Sequence, residues 1–234
     1  MLAQNPNIEI LELAVSRLGE LTNELVFLGG CATGLLITDL AASPIRVTRD
    51  VDVIAEVSTL SDYHILAEHL RKRGFKEDVS DDAPICRWVA ESLILDVMPT
   101  NPSILGFGNQ WYIPAMNNAL TIMLPSGMAI QSVSSPYFLA TKLEAFDGRG
   151  QGDYLLSHDI EDFVAVIDGR AEMVAELLDA PGDVKAYLAE RIADLLRDSS
   201  FMDSLPGHLP PDQAGQARLP LVVSRLEAVA ALGK

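Results

Sequence analysis

The sequence predicts an α/β fold for the N-terminal half of this chain and an almost wholly helical C-terminal half. Short apolar runs alternate with segments of helical period up to about residue 135. Beyond that point the apolar residues recur at helical spacing, and Ser135 followed by Pro136 is a typical helix start. We therefore expect two domains, residues 1–135 and residues 136–234.

Apolar spacing and glycine positions predict the individual elements. Residues 8–25 carry apolar side chains at helical spacing, and Gly29 with Gly30 ends the short apolar run that follows. Gly74 is a typical stop for a helix at 61–73. The other predictions are a helix at 32–42, strands at 25–28, 51–57, 75–79, 85–90, 93–98, 120–124 and 128–133, a loop at 106–118, helices at 136–147, 158–168, 171–179, 183–198 and 213–232, and a linker at 205–211.

Composition and charge restrict the class of protein. The chain has 234 residues with 17 Lys plus Arg against 33 Asp plus Glu, so its formal net charge is −16. No apolar run approaches the roughly 18 residues that span a bilayer, and no basic residue precedes Arg17 as in a secretory signal. With two cysteines and no CxxC, we expect a reduced, cytoplasmic protein without a membrane partner. Its net charge repels phosphate backbones, so a nucleic acid would require a local basic patch.

The strongest local signal for chemistry is Asp50-Val51-Asp52. On a strand, residues i and i+2 point to the same side, so the two carboxylates converge. Like charges that close disfavour joint ionisation, and a hard divalent cation such as Mg²⁺ removes that cost. The alternative is a strand end whose acids face water.

Two further features support a phosphate and metal site. Gly29 and Gly30 follow an apolar strand and open a helix, where glycines let a triphosphate approach the backbone; an ordinary glycine turn is the alternative. Asp96 lies in an otherwise apolar strand and needs a partner if it is buried. We expect Asp96 to join Asp50 and Asp52 in one cluster, as in two-metal phosphoryl-transfer sites.

Five stretches of the chain carry these and related residues: Gly29-Gly30, Arg46-Val-Thr48-Arg-Asp50-Val-Asp52, Leu95-Asp96-Val97, Lys142-Leu-Glu-Ala-Phe-Asp-Gly-Arg149 and His158-Asp159-Ile-Glu-Asp162. Together they resemble the signature of the DNA polymerase β-like nucleotidyltransferase superfamily, and more specifically its AbiEii-type abortive-infection toxins. The resemblance implies a mixed sheet flanked by helices, a helical second lobe and an NTP cleft between them. It also implies transfer of a nucleoside monophosphate, commonly onto tRNA.

The resemblance implies a role for each acid and glycine. Asp50 and Asp52 would bridge two Mg²⁺ or Mn²⁺ ions, and Asp96 would complete the inner metal and help to deprotonate the acceptor hydroxyl. Gly29 and Gly30 would cradle the phosphates of the NTP. Many relatives carry Ser or Thr directly after the two glycines, whereas this chain has Cys31, so Thr33 is the substitute hydroxyl.

The second lobe would supply cations. Lys142 would face the glycine turn and stabilise charge on the leaving pyrophosphate, and Arg149 would clamp phosphate. Asp159 would orient one of these two cations or favour its helix start through the dipole. The alternatives are a solvated Lys142 that pairs with Glu144 or Asp147, and a solvated Arg149.

The sequence indicates the acceptor and the partner protein less directly than it indicates the site. The only dense basic cluster, 71–76, is a candidate RNA contact, but basic residues also suit a helix C-terminus. The expected function is a nucleotidyltransferase acting on tRNA, as the toxin of a toxin–antitoxin or phage-defence system with a cognate antitoxin. The alternatives are an antibiotic-type adenylyltransferase with a small-molecule acceptor, and a non-catalytic nucleotide-binding module.

Overall fold

The computed structural model describes residues 5–233, which form two compact units. The first unit comprises the described residues up to Leu35 together with Arg46–Ser134, and the second comprises Leu36–Ile45 together with the described residues from Ser135 onwards. The chain passes from the first unit to the second at Ser135. Leu36–Ile45 is the exception, because it belongs to the second unit although it precedes most of the sheet in sequence.

The elements of the first unit alternate as the α/β prediction requires. Its helices are α1 (Ile8–Leu18), α2 (Gly29–Leu36, whose last residue groups with the second unit), α3 (Leu60–Lys72) and α4 (Tyr112–Asn117). Its strands are β1 (Leu25–Leu28), β2 (Asp50–Ala55), β3 (Lys76–Glu77), β4 (Arg87–Ala90), β5 (Leu93–Pro99), β6 (Leu120–Met123) and β7 (Ala129–Ser132).

These strands form one seven-stranded mixed sheet in the order β3-β4-β5-β2-β1-β7-β6. Strand β2 runs parallel to β5 and antiparallel to β1, while β1 runs parallel to β7. Helices α1 and α3 cover one face, where Leu11, Leu18 and Leu70 are buried with Val53 and Leu95. The predicted fold class, a mixed sheet flanked by helices and followed by a helical C-terminal part, is confirmed.

The second unit is helical throughout its described residues from Ser135. Its helices are α5 (Ser135–Arg149), α6 (His158–Gly169), α7 (Met173–Asp179), α8 (Gly182–Arg197), α9 (Ser199–Ser204), α10 (Gln213–Gln216) and α11 (Leu219–Ala230). Apolar side chains from several of these helices are fully buried, including Phe138, Leu143, Phe163 and Ile192. No helix in the described chain is both long and apolar enough to cross a membrane.

Ion pairs and backbone hydrogen bonds tie the segment 36–45 to this unit. The Arg218 guanidinium binds Asp39 at 2.7 Å and the buried Asp168 at 2.6 Å. The amides of Thr38 and Asp39 both donate to the Gly169 carbonyl at 2.9 Å. These contacts join residues far apart in sequence, which explains why periodicity did not predict them.

Several element boundaries differ from the predictions. Helix α1 ends at Leu18 rather than near 25, because Gly19 has a φ of +57° and the chain continues as a 3-10 helix, Gly19–Glu24. Helix α2 begins at Gly29 itself, not at 32, and ends at Leu36 instead of 42. The predicted loop at 106–118 contains α4, and the predicted helix at 213–232 is divided into α10 and α11.

Candidate active site

The three predicted acids lie on one face of two neighbouring strands. Asp52 on β2 is the direct register partner of Asp96 on β5, and Asp50 precedes Asp52 by one full pleat repeat. Neighbouring strands are about 4.8 Å apart, and residues two apart share a face, so the three side chains converge. They occupy the face opposite Val51 and Val53, whose side chains are buried beneath α1 and α3. The structure thus brings together residues that are 44 positions apart.

An arginine that the sequence did not single out lies among these acids. Arg87 on β4 is the cross-strand partner of Asp96. Its Nε lies 2.8 Å from Asp96 Oδ1, and its Nη2 lies 2.7 Å from Asp96 Oδ2 and 3.2 Å from Asp50 Oδ2. The bidentate contact with Asp96 raises the pKa of Arg87, so its charge is permanent. One guanidinium therefore pairs with both Asp96 and Asp50.

A buried polar network positions the loop that carries Asp50. The Thr48 hydroxyl donates to Asp50 Oδ1 at 2.5 Å, and the Thr48 amide donates to Asn7 Oδ1 at 3.0 Å. The Asn7 side chain is fully buried and its amide donates to the carbonyls of Gly30 at 3.3 Å and Arg46 at 3.2 Å. Asn7 therefore links the glycine turn to the acidic strand.

The glycine turn touches the acidic cluster directly. Gly29 has a φ of +70° at the start of α2, and a Cβ at this position would lie 2.0 Å from Asp52 Oδ2. Glycine is required here both for the left-handed backbone and for the close approach of the carboxylate. The predicted association of Gly29 with the acids is present in the structure.

The other side chains near the turn make local contacts. The buried Thr33 hydroxyl donates to the Gly29 carbonyl at 3.4 Å, within its own helix. The Cys31 thiol is fully buried and lies 3.2 Å from the Leu28 carbonyl oxygen. Burial and the charges of Asp96 and Asp52 raise the pKa of Cys86 to about 12, so its thiol stays protonated at neutral pH. Neither cysteine has the character of a nucleophile.

Lys142, Arg149 and Asp159 lie together in the second unit. The Lys142 Nζ lies 2.6 Å from Asp162 Oδ2 and 3.2 Å from Asp159 Oδ1, and only 8% of this side chain is exposed. Arg149 Nε and Nη2 bind the two oxygens of Asp159 at 2.8 Å each, while 72% of the arginine side chain is exposed. Asp159 therefore contacts both cations that the sequence analysis proposed for it.

Lys142, Arg149, Asp159 and Asp162 form a quartet of charged side chains, and its electrostatics favour the ionised form of Asp159. Burial alone would raise the pKa of Asp159, but the Arg149 hydrogen bond and the Lys142 charge outweigh it and hold that pKa below its ordinary value. Two cations balance two carboxylates. Lys142 is a buried partner of Asp159 and Asp162 rather than the solvated residue of the alternative interpretation, and the exposed cation of the group is Arg149.

The basic cluster 71–76 lies at the end of a helix that covers the other face of the sheet. Arg71 pairs with Glu68 and Glu77 and lies 5.7 Å from the ring centroid of the buried Trp88. The Arg73 guanidinium donates to the Leu18 carbonyl at the end of α1. These two arginines therefore act in the structure of the first unit, and α3 packs opposite the face that carries the acids.

The acidic face fits a divalent cation in its chemistry. Carboxylate oxygens are the ligands that Mg²⁺ prefers, and the Arg87 guanidinium stands as a cation against two of them. The described residues contain no group of three or more His, Cys, Asp or Glu arranged to hold a metal ion. In the arrangement that the structure shows, Asp96 and Asp50 are partners of Arg87 and do not form a ready set of metal ligands.

A separate cleft of about 630 Å³ lies at the other end of β1 and β2. Leu25, Val26 and Ala55 line it together with His69 and Asp62. Because β1 and β2 are antiparallel and Leu28 pairs with Asp52, this cleft is far along the strands from the acids and is not the candidate site.

Comparisons with known proteins give little further guidance. No protein-family model matches the chain. No curated protein is similar to it in sequence. Among solved structures, the chain is similar to the crystal structure of an antigenic nucleotidyltransferase-like protein from Paracoccidioides brasiliensis, with 19% identity over 85% of this chain and 92% of that chain and a TM-score of 0.49. A likeness of this degree assigns neither a family nor a function to the chain.

Sequence reasoning did not assign Arg87 or Asn7 to these clusters, and it gave no role to Asp162 although that residue lies in one of the stretches that carry the resemblance. For Arg87 a signal existed, because Glu91 and Ser92 form a two-residue turn between β4 and β5, and Ala90 pairs with Leu93. Counting outward from that turn pairs Asp96 with Arg87. The turn carries Glu91 at a φ of +56° instead of the usual glycine or asparagine, so the hairpin register is hard to predict.

Proposed function

We propose that this protein is a metal-dependent nucleotidyltransferase. One observation carries the proposal: Asp50, Asp52 and Asp96 share one face of neighbouring strands, and Asp52 touches Gly29 at a turn that opens a helix. Clustered carboxylates are suited to divalent cations, and glycine turns at helix starts are suited to phosphate. A site that combines clustered carboxylates with a glycine turn is suited to transferring a nucleotide from an NTP to an acceptor.

The three acids and the two glycines of the first unit each have a proposed role. Asp50, Asp52 and Asp96 would hold Mg²⁺ or Mn²⁺, and the metal would supply charge stabilisation for the transferred phosphoryl group. Asp96 would also accept the proton of the acceptor hydroxyl. Gly29 and Gly30 would leave backbone amides open to phosphate, because neither has a side chain that blocks the approach.

Arg149 is the residue of the second unit that we propose for a phosphate contact. A Lys142 ammonium that moved to a phosphate would leave Asp159 and Asp162 buried with one fewer cation, which costs several kcal/mol. The Arg149 guanidinium is itself exposed, so it can reach a phosphate with little desolvation of its own, although its release also leaves Asp159 with one cation fewer. It is better suited than an ammonium to bidentate phosphate contacts. We therefore propose that Arg149 contacts phosphate and that Lys142 is a positioning residue, acting through Asp159.

For the acceptor, we rank a small cationic molecule with a free hydroxyl above tRNA. The net charge of −16 attracts a cation and repels RNA. In addition, Arg71 and Arg73, the core of the proposed RNA patch, are engaged in contacts within the first unit. The tRNA acceptor, the toxin role and a cognate antitoxin remain the proposal that the resemblance to AbiEii-type proteins supports.

A transfer assay with a labelled NTP tests the proposal. Each of the four nucleotides is supplied with Mg²⁺ and, in separate reactions, with total tRNA or with an aminoglycoside panel. Label on the aminoglycoside identifies the small-molecule enzyme, whereas label on RNA that declines steeply with salt identifies the RNA enzyme. NTP binding without label transfer in either reaction would support the nucleotide-binding module instead.

A further inference from the structure

We infer that the free edge of β6 pairs with β6 of a second copy of this chain, so that two sheets join in a symmetric dimer. Strand β6 lies at one end of the strand order and, among the described residues, pairs with β7 alone. An open edge presents backbone N–H and C=O groups that are a template for another strand. Two apolar side chains of β6 are also open to solvent, since Leu120 is 46% and Met123 is 56% exposed.

The two edges of the sheet differ in the features that prevent such pairing. Natural proteins protect an edge by making its strand short and charged. Strand β3, at the opposite edge, has only the two residues Lys76 and Glu77, and both are charged and exposed. Strand β6 has four residues, Leu-Thr-Ile-Met, and none of them is charged. The edge at β6 therefore lacks the protection that the edge at β3 has.

The hydrogen-bond pattern shows which groups of β6 face the open side. The Leu124 amide donates to the Met128 carbonyl at 2.9 Å, directly beyond the paired residues of β6 and β7. Antiparallel partners alternate between hydrogen-bonded and non-hydrogen-bonded pairs, so Ile122, two residues away, also points its backbone groups toward β7. The N–H and C=O groups of Thr121 and Met123 therefore point outward.

This outward pattern is complementary to itself. With a two-fold axis beside Ile122, each Thr121 lies opposite Met123 of the second copy, and the two residues exchange N–H···O bonds in both directions. The two Ile122 residues then face each other as a non-hydrogen-bonded pair, with Cα atoms about 4.5 Å apart. Ile122 already packs against the core of its own sheet, so the pairing continues an apolar face from one copy to the other.

Charge is the reason to choose a second copy as the partner. Two chains of net charge −16 repel each other, and they approach closely only through an uncharged surface. Residues 97–141, a stretch of 45 residues that contains β6 and β7, include no Asp, Glu, Lys, Arg or His, although 21% of the whole chain is charged. A basic partner is attracted to the acidic surface instead. The uncharged edge of β6 therefore suits a second copy better than a basic partner.

Sedimentation equilibrium of the full chain over a range of concentrations tests the pairing. The wild type should approach twice the mass of one chain, with a dissociation constant of about 10–100 µM, because one strand pair is a small interface. Met123→Lys places a charge at the edge, and Thr121→Pro removes an outward amide that β7 does not use. Each should raise the dissociation constant at least about tenfold. A wild type that stays monomeric up to about 1 mM would overturn the inference.

A matched control separates edge pairing from overall charge. Val79→Lys adds the same charge to the same unit at a position that is 90% exposed and lies outside β6. Its dissociation constant should stay within about twofold of the wild-type value, since exposed charges are screened. If Val79→Lys weakens dimerisation as much as Met123→Lys, the inference is wrong. Met123→Lys decides the question if melting curves show that Thr121→Pro does not fold.

A disulfide cross-link tests the register of the pairing. Ile122→Cys places two thiols opposite each other across the two-fold axis, at a Cα separation that a disulfide spans. Oxidation with copper phenanthroline should therefore give a covalent dimer, while the native Cys31 and Cys86 are buried. Val79→Cys should remain mostly monomeric under the same conditions. Equal cross-linking of the two variants, or a wild-type dimer that Ile122→Cys does not trap, would refute pairing through β6.

Discussion

At the scale of single residues, Gly29 is needed both for the backbone conformation of the turn and for the position of the Asp52 carboxylate. Its positive φ starts helix α2, and the absence of a Cβ makes room for the Asp52 carboxylate. The sequence predicted the glycines through their place after an apolar run. The sequence predicted that the glycine turn and the acids share one site. It did not predict the particular contact between Gly29 and Asp52, which depends on the antiparallel register that places Leu28 beside Asp52.

Replacing Gly29 by alanine should impair activity more than stability. The new Cβ would lie 2.0 Å from Asp52 Oδ2, so the carboxylate has to move, and the left-handed φ adds about 1–3 kcal/mol of strain. Gly127→Ala is a matched control, since Gly127 also has a positive φ but a Cβ there has nothing within 4 Å. Urea unfolding should show a larger stability loss in Gly29→Ala, because its Cβ would also lie 2.6 Å from Asp52 Cγ and 2.8 Å from Asp52 Cβ. Transfer rates should show a loss of activity in Gly29→Ala alone. Equal activity in the two variants would argue against the placement of Asp52.

At the scale of elements, the pair α5 and α6 is held by buried charges. Lys142 and Arg149 on α5 bind Asp159 on α6, and Lys142 also binds Asp162. Helical period predicted both helices to within two residues. It did not predict that Lys142 is buried, because a lysine at that spacing is equally compatible with a solvated face.

Removal of the Lys142 charge should destabilise this pair of helices. Lys142→Met leaves two buried carboxylates with one cation fewer and should lower the free energy of unfolding by about 3 kcal/mol. Lys185→Met, at a half-buried lysine that donates to the Leu178 carbonyl, should cost less than about 1 kcal/mol. Urea denaturation measures the free energy of unfolding of both variants. Adding Asp162→Asn to Lys142→Met should restore part of the stability that Lys142→Met loses. A loss no greater than that of the control would show that the quartet does not stabilise the unit.

The lowered pKa of Asp159 predicts how stability depends on pH. Because the folded state holds this carboxyl at a lower pKa than the unfolded chain, it contributes stability at pH values above the unfolded pKa of about 3.9. That contribution is lost as the pH falls through the folded pKa. The free energy of unfolding should therefore decrease less on acidification from pH 5 to pH 3 in Asp159→Asn than in the wild type. An unchanged slope would show that Asp159 titrates alike in both states.

At the scale of the whole molecule, the second unit draws one segment from the first half of the chain. The sequence placed the change of character at residue 135, where α5 begins, because composition and period change there. It did not predict that Leu36–Ile45 belongs with the later helices. Contacts distant in sequence hold the segment there: Arg218 binds both Asp39 and Asp168, and the amides of Thr38 and Asp39 donate to the Gly169 carbonyl.

Replacing Arg218 should therefore destabilise the second unit. Arg218→Met leaves Asp168, of which 1% of the side chain is exposed, without its ion pair and should cost about 3 kcal/mol. Arg197→Met is the matched control, because Arg197 is 77% exposed and pairs with the surface residue Asp194. Its effect should stay within about 0.5 kcal/mol. Urea unfolding measures both, and equal effects would refute the anchoring role.

The most direct test of the central claim is metal-dependent release of pyrophosphate from an NTP by the wild type and by Asp52→Asn. Because Asp52 lies between Gly29 and Asp96, its replacement should abolish release. The melting temperature should stay the same or rise, since one of the repelling charges is gone. Asp81→Asn, at an exposed loop position, should release pyrophosphate at the wild-type rate. Undiminished release by Asp52→Asn would contradict the claim that the three acids are the catalytic centre.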